Sequence, residues 1–208
     1  VFVDSGFYMP GLIHVKASNR NGIFWLAQYL EEQGHTHMCF VGDASSEETF
    51  AERRDGIRRN VELHPDIRMD YVDSRIDGGI QEWVNLAHLK RYLQQDDRAT
   101  VLICINDAVA IRVYEMAEKM GLRIPDDISV AGFDGIQQSG WLKPALTTCA
   151  VDRSRVAEMA TSLLLSQLNG TSSMLYNGVR VEIPVEIIIR ESVKKLNKPK
   201  SSAKQTAE

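Results

Sequence analysis

The stretch TVLICINDAVAIRVYEMAEKMGLRIPDDISVAGFD, residues Thr100–Asp134, reads as one complete β-α-β unit. Thr100 to Ile105 is a short apolar run of strand length, and Asn106-Asp107 is a strand-to-helix turn. A helix from Ala108 to Met120 follows, stopped by Gly121, and Ile128 to Gly132 is a second buried strand. Two apolar strands joined by a helix of more than ten residues imply a parallel pair with a right-handed crossover.

The same alternation extends upstream. Val1-Phe2-Val3 is a short β-branched run ending in the polar turn Asp4-Ser5-Gly6, and a chain opening on a core strand is expected to have lost its beginning. Ser18 or Asn19 caps a helix to about Glu32 with Ile23, Leu26, Ala27 and Leu30 on one face. His37–Gly42 is a strand, about Ser46 to Val61 a helix, Met69 to Val72 a strand, and Gly79 to Gln94 a helix. Downstream, Asp152 to about Gln167 is helical, Asn169 to Ser173 is turn-rich, and Val181 to Ile189 is a last strand. Lys194 to Glu208 is polar, Lys-rich and without apolar spacing, so a disordered tail is expected. The fold class is α/β, with doubly wound parallel sheets, in which ligands bind beyond the carboxyl ends of the strands. That rule selects Asp4, the loop after Gly42, Asn106-Asp107 and Phe133-Asp134.

Composition narrows the function. With 208 residues, 44% of them hydrophobic and 25% charged, the chain is long enough for a substantial core. A net charge of -4 offers no general attraction to nucleic-acid phosphates. No apolar run approaches the roughly 20 residues that span a bilayer, and the start has no signal-peptide pattern, so a cytoplasmic protein is expected. Cys39, Cys104 and Cys149 form no C-x-x-C pair and read as reduced, buried thiols. The five histidines have no metal-ligand spacing, and no P-loop, G-x-S-x-G or G-x-G-x-x-G is present; neither a metal nor a cofactor nor an enzymatic activity is expected.

Six motifs in order give a more specific reading: Gly34-His35 before a strand, Glu52-Arg53-Arg54-Asp55-Gly56, Ile105-Asn106-Asp107, Gly121 through Asp134, Pro144-Ala145-Leu146-Thr147-Thr148, and Ile189-Arg190-Glu191-Ser192. Together they resemble the LacI/GalR family of bacterial transcription regulators over about residues 1 to 193. The resemblance implies a two-lobed, periplasmic-binding-protein-like effector domain crossed by three connecting segments, with the first lobe incomplete. Residues 1–34 and 151–179 would be the remainder of the N-terminal lobe, and residues 35–150 and 180–193 the C-terminal lobe. A DNA-reading headpiece, a hinge helix and roughly 100 residues of the first lobe on typical domain sizes would lie outside this chain. The implied protein is a homodimer whose operator binding is controlled allosterically by a sugar or sugar derivative.

Sugar recognition needs fixed hydrogen-bond partners: a carboxylate accepts from two hydroxyls and an Arg fork donates to two. The resemblance places ligand-binding groups at Asp4, Arg53, Asn106 and Asp134. Read without it, Asp134 is a turn carboxylate, Arg53 belongs with Arg54, Arg58 and Arg59 to a solvated helix face, and Asn106-Asp107 is a cap. With it, Asn106 is expected to face ligand and Asp107 to cap the helix. Gly135 stands where the family often carries a second acid. At the second lobe-crossing segment, where family members can place an aromatic against ligand, this chain has Arg153, which favours an anionic or strongly polar effector. Phe7, Phe133 and Trp141 are candidates for stacking on a sugar, whereas Trp25 and Trp83 read as packing. The alternatives are a periplasmic sugar-binding protein of a transporter and an enzyme of the doubly wound class. The former is disfavoured by the unpaired cysteines and the Leu-Thr-Thr and Gly-Phe-Asp motifs, the latter by the absence of any nucleophile or cofactor motif.

Overall fold

The computed structural model describes residues 1–4, 9–42, 48–73, 86–169 and 178–197. Its strands form two sheets. The smaller has three strands, β1 (Phe2–Val3), β2 (His14–Ala17) and β8 (Arg180–Ile183), in the order β1-β2-β8, all parallel. The larger has six, in the order β4-β3-β5-β6-β7-β9: β3 (His37–Gly42), β4 (Arg68–Asp73), β5 (Val101–Cys104), β6 (Ser129–Asp134), β7 (Thr147–Ala150) and β9 (Glu186–Ile188). Every pairing there is parallel except β7 with β9. From β3 the chain moves outward to β4, then returns to the other side of β3 for β5. That reversal opens a crevice at the carboxyl ends of β3 and β5, the place where doubly wound sheets hold ligands.

Burial accounts for the strands. Met38 to Val41 and Val101 to Cys104 are almost wholly excluded from solvent, as expected for parallel strands covered on both faces. Helices α1 (Asn19–Glu32), α2 (Glu48–Leu63), α3 (Leu86–Leu93) and α4 (Asp107–Lys119) accompany this sheet, and α5 (Arg153–Leu168) accompanies the small one. Of the helix expected over Gly79 to Gln94, the part before residue 86 lies outside the described residues, as do Trp83 and Phe7.

The cores are separate. Ile13, Val15, Val156, Ala160 and Ile183 pack together under the small sheet. Ile23, Leu26, Ala27 and Leu30 belong to the large core with Met38, Phe40, Leu102 and Phe133. Two expected boundaries are corrected by this packing. Residues 19–32 were expected with the first lobe, but α1 lies along α2 against the large sheet, because its apolar face meets that core. A Cβ at Gly56 would stand 2.3 Å from the Arg20 carbonyl oxygen, so a glycine in α2 is what lets the helices approach this closely. Likewise, the single strand expected over Val181 to Ile189 is two: β8 completes the small sheet, the chain crosses at Pro184-Val185, and β9 joins the large one antiparallel to β7.

The chain therefore passes between the sheets three times, at Ala17 to Asn19, Ala150 to Arg153, and Ile183 to Glu186. The first and third passages are tied by the Ser18 N–H donating to the Ile183 carbonyl at 2.9 Å. Residues 194–197, expected to be disordered, are held in place: Leu196 N–H donates to the Gln33 carbonyl at 2.7 Å, and the Lys194 carbonyl lies 3.0 Å from His35 Nε2. Residues 198–208 lie outside the described ones.

Candidate functional site

Arg53 is the centre of the site. It stands in the second turn of α2, on the face buried against the sheet, and its side chain is only 5% exposed. Each nitrogen of the guanidinium is engaged: Nε donates to Asn19 Oδ1 at 3.0 Å, Nη1 to the Ile105 carbonyl at 2.7 Å, and Nη2 to Asp134 Oδ1 at 2.8 Å. Its plane rests over the Phe133 ring, with Cζ 3.9 Å from the centroid, a cation–π contact in a desolvated setting. The five N–H bonds of a guanidinium exceed these three partners, so a ligand at the strand ends would meet an Arg already fixed in direction. Arg54, Arg58 and Arg59 lie off this face, and Arg58 pairs with Asp55 and Glu62 on the outside of α2.

Asp134 ends β6 and is partly exposed. Burial raises its carboxyl above the ordinary range, opposed by the charge and hydrogen bond of Arg53 and by the charge of Arg153, while the negative charge of Asp4 adds to the rise. The structure thus brings Asp4 and Arg153 within electrostatic reach of the Arg53–Asp134 pair. Asp4 directly follows β1, anchored by its N–H to the Val15 carbonyl at 2.9 Å, and Arg153 opens α5 just after its cap Asp152. Among the described residues, the two non-glycine positions with positive φ are Asp4 (44°) and Asp134 (107°). Strained backbone of this kind clusters where a side chain must be aimed. Gly135 continues the turn at φ 63°, and a Cβ there would stand 2.6 Å from Ala150 Cα, so an acidic residue at this position would not fit.

The cap expected of Asp107 falls to Asn106 instead. Asn106 is the N-cap of α4, its Oδ1 accepting from Val109 N–H at 2.9 Å. Asp107 is fully buried instead, with Oδ1 accepting from the Thr148 hydroxyl at 2.6 Å and Oδ2 from Ile136 N–H at 2.9 Å. It fastens the 135–136 turn to β7, which fixes the segment carrying Asp134. Asn106 still stands at the carboxyl end of β5, next to the carbonyl that Arg53 grips. Burial pushes Asp107 up to about 6. A carboxyl with a raised folded pKa destabilises the fold above that value, and the cost is relieved as pH falls from about 6 towards its ordinary value near 4. Thr148→Val removes a donor that favours the ionised form, so the expected loss is about 1–3 kcal/mol at pH 8 and less at pH 5. Urea unfolding at the two pH values checks this.

Other expectations fall elsewhere. The ring of Phe133 is buried beneath Arg53 and supports it from inside. Trp141 is 64% exposed and lines a groove with Ile111, Tyr114 and Leu142 that contains none of the five candidate residues. Trp25, expected to pack, is 57% exposed, with an edge contact to Phe24. All three cysteines are buried and unpaired, and burial pushes the Cys39 thiol up to about 12. Asn19 was anticipated only as a helix cap; it is buried and holds Arg53 through Nε. No sequence signal distinguishes that use from a cap. Among the described residues, no helix is long and apolar enough to cross a membrane, and no group of three or more His, Cys, Asp or Glu is placed to hold a metal ion.

Comparison with known proteins places the fold. A family model described as a periplasmic binding protein-like domain matches residues 27–193. The HTH-type transcriptional repressor PurR of Aliivibrio salmonicida (strain LFI1238) is 28% identical over 198 residues, covering 94% of this chain but 57% of the repressor. This chain spans less than two thirds of the length of the repressors it matches. Among solved structures, a LacI family transcriptional regulator from Enterococcus faecalis V583 with bound ribose superposes with a TM-score of 0.79 at 20% identity, covering 94% of this chain and 68% of that one. At that identity the likeness shows a shared fold. A putative LacI-family regulator from Rhizobium etli superposes with a TM-score of 0.71 at 26% identity, covering 88% of this chain and 66% of that one.

Proposed function

The chain belongs to the family of periplasmic binding protein-like domains, and from that premise we propose that it is the effector-binding part of a LacI-type transcription regulator. The observation that carries this reading is the pair of buried Arg53 and partly exposed Asp134 at the carboxyl ends of the strands, with Arg53 held in direction by Asn19, the Ile105 carbonyl and the Phe133 ring. A fixed guanidinium beside a carboxylate suits vicinal hydroxyls, which both donate and accept. Asp4, Asn106 and Arg153 complete the proposed contact set, Arg153 adding positive charge for a polar or anionic group. The proposed ligand is a sugar or sugar derivative, in keeping with the ribose held by the E. faecalis regulator of the same fold.

In the whole protein, ligand binding between the lobes would bias DNA binding, since a ligand shifts an equilibrium only by its differential affinity for the two states. The whole protein is proposed to be a cytoplasmic homodimer that reaches operator DNA through a headpiece outside this chain and performs no catalysis. A thermal-shift panel of sugars and sugar phosphates, starting with D-ribose, tests the reading. A true ligand at about 100 times its dissociation constant adds about 2.7 kcal/mol of stability, and Arg53→Ala and Asp134→Ala abolish the shift. A shift that persists in both variants places the ligand elsewhere and refutes the site.

A further inference from the structure

Four charged side chains at the lobe junction form a closed ring. Lys16 on β2 reaches Glu48 at 3.1 Å and Glu52 at 2.5 Å; Arg180 on β8 reaches Glu48 at 2.9 Å and also contacts Glu52. Both cations come from the small sheet, where His14 pairs with Arg180 and Lys16 with Glu182, so they project from one face two register positions apart. Both carboxylates come from α2 of the large lobe, four residues apart and hence on one helix face. Every ion pair in the ring therefore crosses from one lobe to the other.

The ring is charge-neutral, and its inner half is deeply set, Lys16 and Glu52 being 6% and 7% exposed against 21% and 35% for Glu48 and Arg180. Buried ion pairs are poor stabilisers, often matched or surpassed by apolar replacements, and their best-attested use is to fix one arrangement among several. Here the arrangement they fix is the position of one sheet against the other. The ring also touches the site: Asn19 Nδ2 donates to Glu52 Oε2 at 3.4 Å, while Asn19 Oδ1 holds Arg53. Glu182, beside the ring, accepts the hydroxyl of Ser18 at the first passage between lobes. The same Ser18 oxygen accepts from Asn21 Nδ2 at 3.2 Å at the start of α1.

We propose that Lys16, Glu48, Glu52 and Arg180 form an ionic clasp that sets the angle between the lobes and, through Asn19, ties that angle to Arg53. Its consequence for affinity rests on the effector reading of Arg53; its consequence for lobe geometry does not. The two exposed positions Lys119→Cys on α4 and Glu158→Cys on α5 carry spin labels, and pulsed electron resonance reads the distance between lobes. The buried native thiols do not compete for label. Two charge-neutral pairs of changes open the clasp, Lys16→Met with Glu52→Gln, and Glu48→Gln with Arg180→Met; the second removes its more exposed half and is the one more certain to fold. The parent is expected to give one narrow distance, and each variant a displaced or broadened one. Superimposable distributions in the parent and a folded variant overturn the clasp. Calorimetry with D-ribose adds the second arm: affinity is expected to change about fivefold or more in the variants, and unchanged affinity overturns the tie to Arg53. A parent that binds no D-ribose counts against ribose as effector, and the distance measurement then decides the clasp alone.

Discussion

Arg53→Ala is expected to lower stability by about 3 kcal/mol, the lower end of the cost of breaking a buried ion pair because the Asp134 left behind is partly exposed, and to abolish effector binding. Three partners lose their donor at once: the Asp134 carboxylate, the Ile105 carbonyl and Asn19 Oδ1. Arg53→Lys is expected to restore little, because one ammonium on a flexible stem cannot reach three fixed acceptors spread around a planar fork. The pH dependence identifies the cause. Without Arg53, the Asp134 carboxyl loses the charge that opposes its rise, so its folded pKa climbs further above the unfolded one. The penalty is then largest where Asp134 must be ionised, at pH 8, and shrinks as pH falls and the folded state takes up a proton. Urea denaturation of parent and variant at pH 8 and pH 5 measures both statements. A deficit that is equal at the two values would attribute the loss to packing of the side-chain stem.

Phe133→Ala is the second large effect. The ring is fully buried, belongs to the main core, and is the floor on which the Arg53 guanidinium lies. Truncation to alanine is expected to cost about 3–5 kcal/mol, a fall in melting temperature on the order of 10 °C for a chain of this size. Phe133→Leu keeps most of the buried volume and loses the aromatic face, so it is expected to recover most of the stability and little of the ligand affinity. Calorimetric melting with and without D-ribose separates the two contributions. Equal affinity in the parent and Phe133→Leu would show that the ring fills space without orienting Arg53.

The sequence disclosed those parts of the molecule in which one physical signal dominates. Runs such as Val101–Cys104 are apolar because both faces of the sheet are covered, and their alternation with helices points to a parallel sheet. The carboxyl-end rule then reached Asn106 and Asp134 without side-chain geometry. What escaped were elements whose burial is paid for by polar partners. Strand β2, His14–Ala17, is wholly buried although half of it is His and Lys, because Lys16 meets two carboxylates and His14 Nε2 lies 3.0 Å from the Met9 carbonyl. In β7 the side chains of Thr147 and Thr148 are satisfied by Arg190 and Asp107, residues remote in sequence. That Asn106 and not Asp107 caps α4 has the same origin. Either side chain is able to cap, and the donors offered by Thr148 and Ile136 settle which one turns inward. The lobe to which α1 belongs was hidden for a different reason: an amphipathic helix announces a buried face without naming the sheet it covers.

The pairing of β2 with β8 also bears on how the molecule assembles. His14 and Arg180 are neighbours in space yet stand near opposite ends of the described chain. The strands and helices of the large sheet, apart from β9, lie between them in sequence, so on the ribosome most of that sheet emerges before the small sheet receives its third strand. Until then β2 has an open edge, and a charged residue such as Lys16 on an unpaired strand discourages edge-to-edge association. The same lysine would guard the nascent chain first and join the two lobes afterwards.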